Sequence, residues 1–459
     1  MNKKLVGVNA VLLFVMIVLS SCSNTKKDET PWISMFDGKT LNGWSIIGGD
    51  AKYKVEDATI IGETVRNTPN TFLRSDALYG DFILELDYKV DPTMNSGIQI
   101  RTNSFPNYRK GRVHGYQVEI DPSARAWSGG IYDESRRGWL NPLTDNPNAQ
   151  KAFKQNEWNH YRIEAIGDTI KTWVNGVAAA HLIDDKTAKG FIGLQVHSIK
   201  EHQKEGTEIK WKNVKILTSD LAKYSIKSTV EPIVTKNNLT IDDKKQRWEL
   251  LWDGKTTKGW RGAKLEDFPE KGWEIENGEL TVLPSGGAES SAGGDIVTEA
   301  LYGDFELKLD FKLTPGANSG IKYYVDTEIN KGPGSSIGLE FQILDDALHP
   351  DAKLGNHEGS RTVSSLYDLI KADPKKHMNA IGEWNSAHII SKNKHVEHWL
   401  NGMKVLEYER GSKEFLKLVS ESKYKKWKNF GLLEKGQILL QDHGDRVSYK
   451  NIKIKTYNE

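Results

Sequence analysis

Phe36-Asp37-Gly38-Lys39-Thr40, running on to Gly43-Trp44, returns later in the chain as Trp252-Asp253-Gly254-Lys255-Thr256, running on to Gly259-Trp260. Outward from this pair the matches keep their order. Leu78-Tyr79-Gly80-Asp81-Phe82 is followed by Asn95-Ser96-Gly97-Ile98, just as Leu301-Tyr302-Gly303-Asp304-Phe305 is followed by Asn318-Ser319-Gly320-Ile321. Tyr132-Asp133, Glu157-Trp158-Asn159 and Trp173-Val174-Asn175-Gly176 then answer Tyr367-Asp368, Glu383-Trp384-Asn385 and Trp399-Leu400-Asn401-Gly402. The copies also close alike, Leu194-Gln195-Val196-His197 with Leu440-Gln441-Asp442-His443, and Lys212-Asn213-Val214-Lys215-Ile216 with Lys450-Asn451-Ile452-Lys453-Ile454. Matches in a fixed order mark a duplication. The expected units are 32–218 and 247–459, joined by a polar linker over 219–246.

Within each unit, Phe82 to Val90 and Phe305 to Leu313 alternate apolar and polar residues, the period of a strand with one buried face. Asn175-Gly176 and Asn401-Gly402 lie between such runs and suit two-residue hairpin turns. Many short strands with little helical periodicity predict an all-β protein of two tandem sandwiches, with one candidate helix over Glu414 to Lys426.

The 459 residues suit two domains of roughly 200 residues each. Lys and Arg number 63 against 62 Asp and Glu, so no charge excess draws the chain to nucleic acid, and a neutral partner is expected. Lys3 and Lys4, the apolar run from Val11 to Leu19, and Ser20-Ser21-Cys22 form a secretory leader over 1–21. The run is shorter than the roughly 20 residues a membrane span needs. Cys22 is the one cysteine, so no disulfide forms within a chain. Leu19-Ser20-Ser21-Cys22 resembles the lipobox of bacterial lipoproteins, which implies lipidation of Cys22, a tether over 22–31 and membrane anchoring. Ser23 in place of an inner-membrane retention Asp makes the outer membrane the expected address. Lys27-Asp28-Glu29 resembles a surface-export tag, and the side of the membrane stays open.

The succession N-S-G-I, G-x-E-x-Q, L-Y-D, E-W-N, W-L-N-G and L-Q-D-H-G-D-R-V resembles the 3-keto-disaccharide hydrolase family, over nearly all of Trp248 to Tyr457 and more loosely over Trp32 to Leu217. The resemblance implies concanavalin A-like jelly rolls and action on glycosides already oxidised to a C3 ketone, as 1,2-lyases or hydratases of the resulting 2-hydroxyglycal. No redox cofactor is then needed in this chain, and a separate sugar 3-oxidoreductase supplies the ketone. The ketone acidifies the C2 proton, so such a site needs a base near C2, a donor for the enolate oxygen and an acid for the leaving group.

Strand alternation puts Glu340 and Gln342 on one face, expected to be an open groove, and likewise pairs Lys322 with Tyr324 and Gln441 with His443. Glu340 or His443 is the expected base and Lys322 the enolate stabiliser. Gln342, Tyr324, His398, Gln441, Asp442 and Arg446 are expected substrate contacts. A cross-strand ion pair on a solvated face is the competing account of Glu340 and Lys322, and a structural turn that of the Asp442–Arg446 cluster. His349, Asp351, His357 and Glu358 could hold a cation or line the groove mouth, but they show no fixed ligand spacing, so no metal or cofactor is expected.

The first copy departs at these positions. Gln117 and Glu119 reverse Glu340 and Gln342, Gln99 and Arg101 replace Lys322 and Tyr324, and His197 is kept. Gln117, Glu119, Arg101 and His197 are the expected sugar contacts there. His114, Trp127, Tyr132, Arg136, Arg137 and Trp139 suit either stacking on a sugar or pinning a loop. Glu119-Ile120-Asp121 is similar to the start of a laminarinase-type E-x-D-x-x-E signature, but Pro122-Ser123-Ala124 follows and the second glutamate is missing, which argues against ordinary two-carboxylate hydrolysis. A glycan-binding lipoprotein without catalysis remains the alternative, because fold does not fix function.

Overall fold

A computed structural model describes residues 31–457 apart from 287, 288 and 291. The expected leader, the expected lipidation site Cys22 and the expected tether up to residue 30 lie outside the described residues. No helix among the described residues is long and apolar enough to cross a membrane.

Each repeat folds into two facing sheets because its strands carry apolar side chains on alternate positions. In Phe305–Leu313 the alternating Phe305, Leu307, Leu309, Phe311 and Leu313 are buried between the sheets. Phe82–Val90 does the same in the first repeat. The first repeat pairs a nine-stranded sheet, completed by a linker strand, with a seven-stranded one, and the second pairs an eight-stranded with a five-stranded sheet. Neighbouring strands are antiparallel throughout, the linker strand excepted. Asn175-Gly176 and Asn401-Gly402 have positive φ at both residues (48° and 81°, 49° and 81°), as a type I′ hairpin turn requires.

One irregularity recurs in both copies. The strands Ser96–Asn103 and Asn318–Asp326 break register beyond Ile100 and Lys322, and Arg101 and Tyr324 hold φ of 45° and 50° at the break. Gly190 and Gly436 lie against these bulges, where a Cβ would come within 2.4 Å of backbone atoms of Thr102 and Tyr324. The bulge rotates the side chains at these positions off the alternation of the strand.

The expected helix over Glu414 to Lys426 is divided. An α-helix covers Lys413–Glu421, and Ser422, accepting from Tyr424 N (3.1 Å), opens a 3₁₀ turn over Lys423–Lys426. The linker adheres to both repeats. Ile233–Val234 adds a parallel strand to Val177–Ile183, and Thr240 and Asp243 form a capping box on Ile241–Lys245. Asn237 and Asn451 exchange reciprocal backbone-to-side-chain bonds of 2.7 Å.

Part-buried ion pairs join the repeats directly. Lys186 Nζ lies 2.6 Å from Asp310 Oδ1, and Lys450 Nζ, 1% exposed, lies 2.5 Å from Asp185. Burial alone would raise the Asp310 pKa, yet Lys186 and Lys450 hold it well below the usual carboxylate range. Removing one member of such a network strands the others away from water. Asp310→Ala is therefore expected to cost about 3 kcal/mol or more of stability in urea unfolding. A loss under about 1 kcal/mol, the level of an exposed pair, would show that the network contributes little.

Candidate active site

The second repeat carries a cleft of about 220 Å³ on its five-stranded sheet. Antiparallel register sets Lys322 opposite Glu340 and Gly320 opposite Gln342, so Lys322, Glu340 and Gln342 share the face that forms its floor. Gln441 and His443, at the end of Gln437–Leu440, enter from the neighbouring strand. The glycine of the Asn318-Ser319-Gly320-Ile321 motif makes room for the acid, because a Cβ there would lie 2.3 Å from Glu340 Oε1.

Glu340 is 5% exposed and makes no side-chain hydrogen bond among the described residues. Its nearest charge is Lys322 Nζ at 3.7 Å. Burial raises its pKa, with Lys322 and Lys423 opposing. Lys322 Nζ instead donates to Ser335 Oγ, which in turn donates to Asp295. Asp295 also accepts from Ser290 Oγ (2.9 Å), Ser336 N (3.2 Å) and Asp442 N (3.1 Å), and burial outweighs Lys322 to raise its pKa. The lysine is thus steadied from behind, while the carboxylate in front keeps its lone pairs free. Gln342 Nε2 reaches Asn318 at 3.3 Å, whereas Gln342 Oε1 and His443 Nδ1 are buried without partners among the described residues. A buried polar atom without a partner calls for an explanation, and at the edge of a cleft a bound ligand or water supplies one.

The outer wall comes from residues that strand alternation does not select. Lys423 and Tyr424 lean in from the 3₁₀ turn, Trp427 from just beyond it and Tyr367 from the central loop, and Glu289 accepts from Gln441 Nε2 (3.0 Å). Lys423 Nζ stands 4.4 Å from the Tyr367 ring, and burial pushes its pKa down despite Glu340. A signal for this wall was present in the sequence. The second copy spans Met403–Glu409 to Gln437–Leu440 with a cationic, aromatic excursion, where the first passes briefly from Val177–Ile183 to Phe191–Val196.

Four expected contacts of the second copy lie elsewhere. Tyr324 is carried off the face by the bulge and bonds Gly303 O and Ser391 Oγ, 2.7 Å each. His398 sits in the core between the sheets, its Nδ1 donating to Ser364 O (3.0 Å) and its Nε2 accepting from Tyr323 Oη (2.7 Å), and burial pushes its pKa down to about 4. Asp442 is fully buried and accepts from Gly293 N, Gly294 N and Gly444 N at 3.2, 2.9 and 2.9 Å, so it fixes the turn. Arg446 points outward to Glu274 at 3.4 Å.

The first repeat has a wider cleft of about 410 Å³ that includes Gln117, Glu119, His197, Arg125, Tyr132 and Trp139. Glu119 Oε1 accepts from Asn95 (2.7 Å) and Arg125 (3.2 Å), and Oε2 from Gln117 (2.9 Å). Burial raises its pKa to about 7 against these donors. Arg101 is excluded by the same bulge and bonds Gly80 O (2.8 Å), Gly167 O (2.7 Å) and Asp81 (2.9 Å). Arg136 and Arg137 are held by Asp133, and His114 stacks on Tyr108, so none of the three forms part of this cleft. Trp127 packs edge-on beneath Trp139, with Arg125 4.8 and 4.9 Å from the two rings. Strand register also places Phe72 where Asp295 stands, so the first copy lacks both the lysine and the acid behind it.

Among known proteins, the profile of the 3-keto-alpha-glucoside-1,2-lyase-like domain matches residues 31–217 and again 247–455. A 3-keto-disaccharide hydrolase of Bacteroides thetaiotaomicron is 38% identical over 225 residues, which is 45% of this chain and 77% of the relative. The crystal structure of a provisionally named glycosyl hydrolase from Parabacteroides distasonis is 31% identical, with a TM-score of 0.43 over 49% of this chain and 100% of that one. A second such protein from the same organism is 27% identical, with a TM-score of 0.32 over 43% and 99%. The two profile matches take in most of the chain and both of its sandwiches, and the protein belongs to the 3-keto-alpha-glucoside-1,2-lyase-like domain family, with that domain present in two tandem copies.

Proposed function

We propose that the second sandwich cleaves 3-keto-glycosides by elimination across C1–C2 followed by hydration. The observation that carries this reading is the buried Glu340 carboxylate, free of hydrogen bonds among the described residues and 3.7 Å from Lys322. Glu340 takes the C2 proton, and the C–H electron pair moves towards the C3 oxygen, where the Lys322 ammonium compensates the developing charge. Collapse of the enolate expels the C1 oxygen with a proton, for which His443 is the donor on the same face. Water then returns hydroxyl to C1 and a proton to C2, so the sum is hydrolysis and no electrons are lost or gained. Gln342 and Gln441 bind sugar hydroxyls. A sugar 3-oxidoreductase upstream forms the ketone, and the resemblance of Leu19-Ser20-Ser21-Cys22 to a lipobox supports a lipid anchor, with the outer membrane as its address.

The first sandwich favours the second reading, binding without turnover. Its Glu119 carboxylate already accepts from three side chains, and no lysine enters its cleft among the described residues. Its Tyr132, Trp139 and Arg125 suit a glycan held by ring contact and hydroxyl bonds.

Glu340→Gln is expected to lower turnover of a 3-keto-glucoside about 100-fold or more, with matching loss of C2–H exchange in deuterated water by NMR. Glu119→Gln should stay near the wild-type rate. Cleavage of the unoxidised parent glycoside, or a Glu340→Gln rate within tenfold of wild type, would overturn the assignment. Because Glu340 acts ionised and its pKa is raised, kcat/KM should fall on acidification with a midpoint above the ordinary glutamate range. A midpoint inside that range removes Glu340 as the base.

Glu119 has its own signature in stability. Between the ordinary 4.5 and about 7, the unfolded chain ionises this group while the folded protein keeps its proton. Stability therefore falls as pH rises through that window, by an amount on the order of 3 kcal/mol, and levels off above it. Urea unfolding of Glu119→Gln should lose this slope, and an unchanged slope would place the titration elsewhere.

A further inference from the structure

Beside the second cleft, His349, His443 and Asp445 bring one ligand atom each to within 4.8 Å of one another. They arrive from separate segments, His349 from the start of the 3₁₀ turn Pro350–Lys353 and the other two from the turn after Gln437–Leu440. That turn is tied down, because Asp442 accepts Gly444 N within it and Gly293 N and Gly294 N from a neighbouring loop, and Asp445 accepts Asn318 N (3.0 Å). His443 Nδ1 is buried with no partner among the described residues, and its ring meets that of His349 edge-on at 6.0 Å. Among the described residues no lysine or arginine forms an ion pair with Asp445. Arg446, the nearest cation in sequence, is drawn off to Glu274. The surroundings hold Glu289, Asp295, Glu340, Asp442 and Asp445 against Lys322, Lys423 and Lys426. The other such cluster, His395, Glu397 and Glu407, differs in both respects, since it is largely exposed and Lys404 already bridges its two carboxylates at 3.3 and 2.7 Å.

We propose that His349, His443 and Asp445 bind one divalent transition-metal ion at the wall of the second cleft. Two imidazoles with one carboxylate suit zinc, cobalt or manganese better than calcium, and three protein ligands leave a coordination position open. His443 lines the cleft, so that position faces bound sugar. An ion there would polarise the C3 carbonyl and share with Lys322 the charge that develops on its oxygen, and with His443 ligated the leaving C1 oxygen would take the proton that Glu340 has removed from C2. This role rests on the reaction proposed above, whereas the binding itself does not. Loading has a local mark. The Asp351 N–H donates to His349 Nδ1 at 3.2 Å, and a neutral imidazole has a single lone pair, so coordination through either nitrogen removes that acceptor.

The test uses the mature protein stripped of metal with a chelator and titrated with cobalt(II), read by visible absorption and calorimetry. One equivalent should bind, with a shift of the Asp351 amide, and His349→Ala and Asp445→Asn should each weaken binding about tenfold or more. Glu407→Gln, at the exposed cluster, should bind as wild type does. His349→Ala leaves the Asp442 turn intact, so it decides the question where Asp445→Asn fails to fold. Absence of saturable binding, or binding indifferent to His349→Ala, overturns the site. Cleavage assays on the same samples separate the two readings. Metal binding without cleavage of a 3-keto-glycoside keeps the site and discards the reaction, while undiminished cleavage by protein that binds no cobalt does the reverse.

Discussion

A carboxylate withdrawn from water and left without a hydrogen bond among the described residues is the constraint round which the second cleft is organised. Burying Glu340 disfavours its charge, and only a cation close by makes the ionised form tolerable. Lys322 is that cation, but a lysine free to swing would collapse onto the acid as a tight pair. Ser335 and Asp295 hold it back, and Asp295 in turn is fixed by Ser290, Ser336 and the backbone of Asp442. Gly320 completes the arrangement by leaving the acid room to stand against the neighbouring strand. Each part has a reason only if Glu340 must be both buried and free.

The first copy shows what the same scaffold does when that constraint is lifted. Where Lys322, Glu340 and Asp295 stand, it has Gln99, Gln117 and Phe72, so the charged set has gone together. The remaining acid, Glu119, lies two positions further along the strand, about 7 Å, and is tied down by Asn95, Gln117 and Arg125. Its positive charge comes from arginines, whose guanidinium groups make several directed bonds. Duplication thus kept the sandwich and its bulge while the two clefts took on different electrostatics.

The two repeats meet through charge as well as chain. Lys186 with Asp310 and Lys450 with Asp185 cross the junction, each pair joining a buried group, Asp310 or Lys450, to a part-exposed one. Such pairs bring directional contacts without promising much net stability, and their value lies in fixing one arrangement. The linker strand and the Asn237–Asn451 exchange act in the same sense, so the linker that reads as merely polar in sequence is part of the fold.

By itself the sequence determined the duplication, the all-β sandwiches and the faces of the regular strands, because alternation of side chains is a property of any extended chain. That was enough to bring Glu340, Gln342, Lys322, Gln441 and His443 together in one cleft, and Gln117, Glu119 and His197 in the other. Alternation fails where a strand is irregular. A bulge invisible in sequence removes Tyr324 and Arg101, and a polar label does not reveal that His398 belongs to the core or that Asp442 bonds a turn. Lys423, Tyr424, Trp427 and Tyr367 come to the cleft from segments whose paths only tertiary packing decides, since no period relates a loop side chain to the groove it lines.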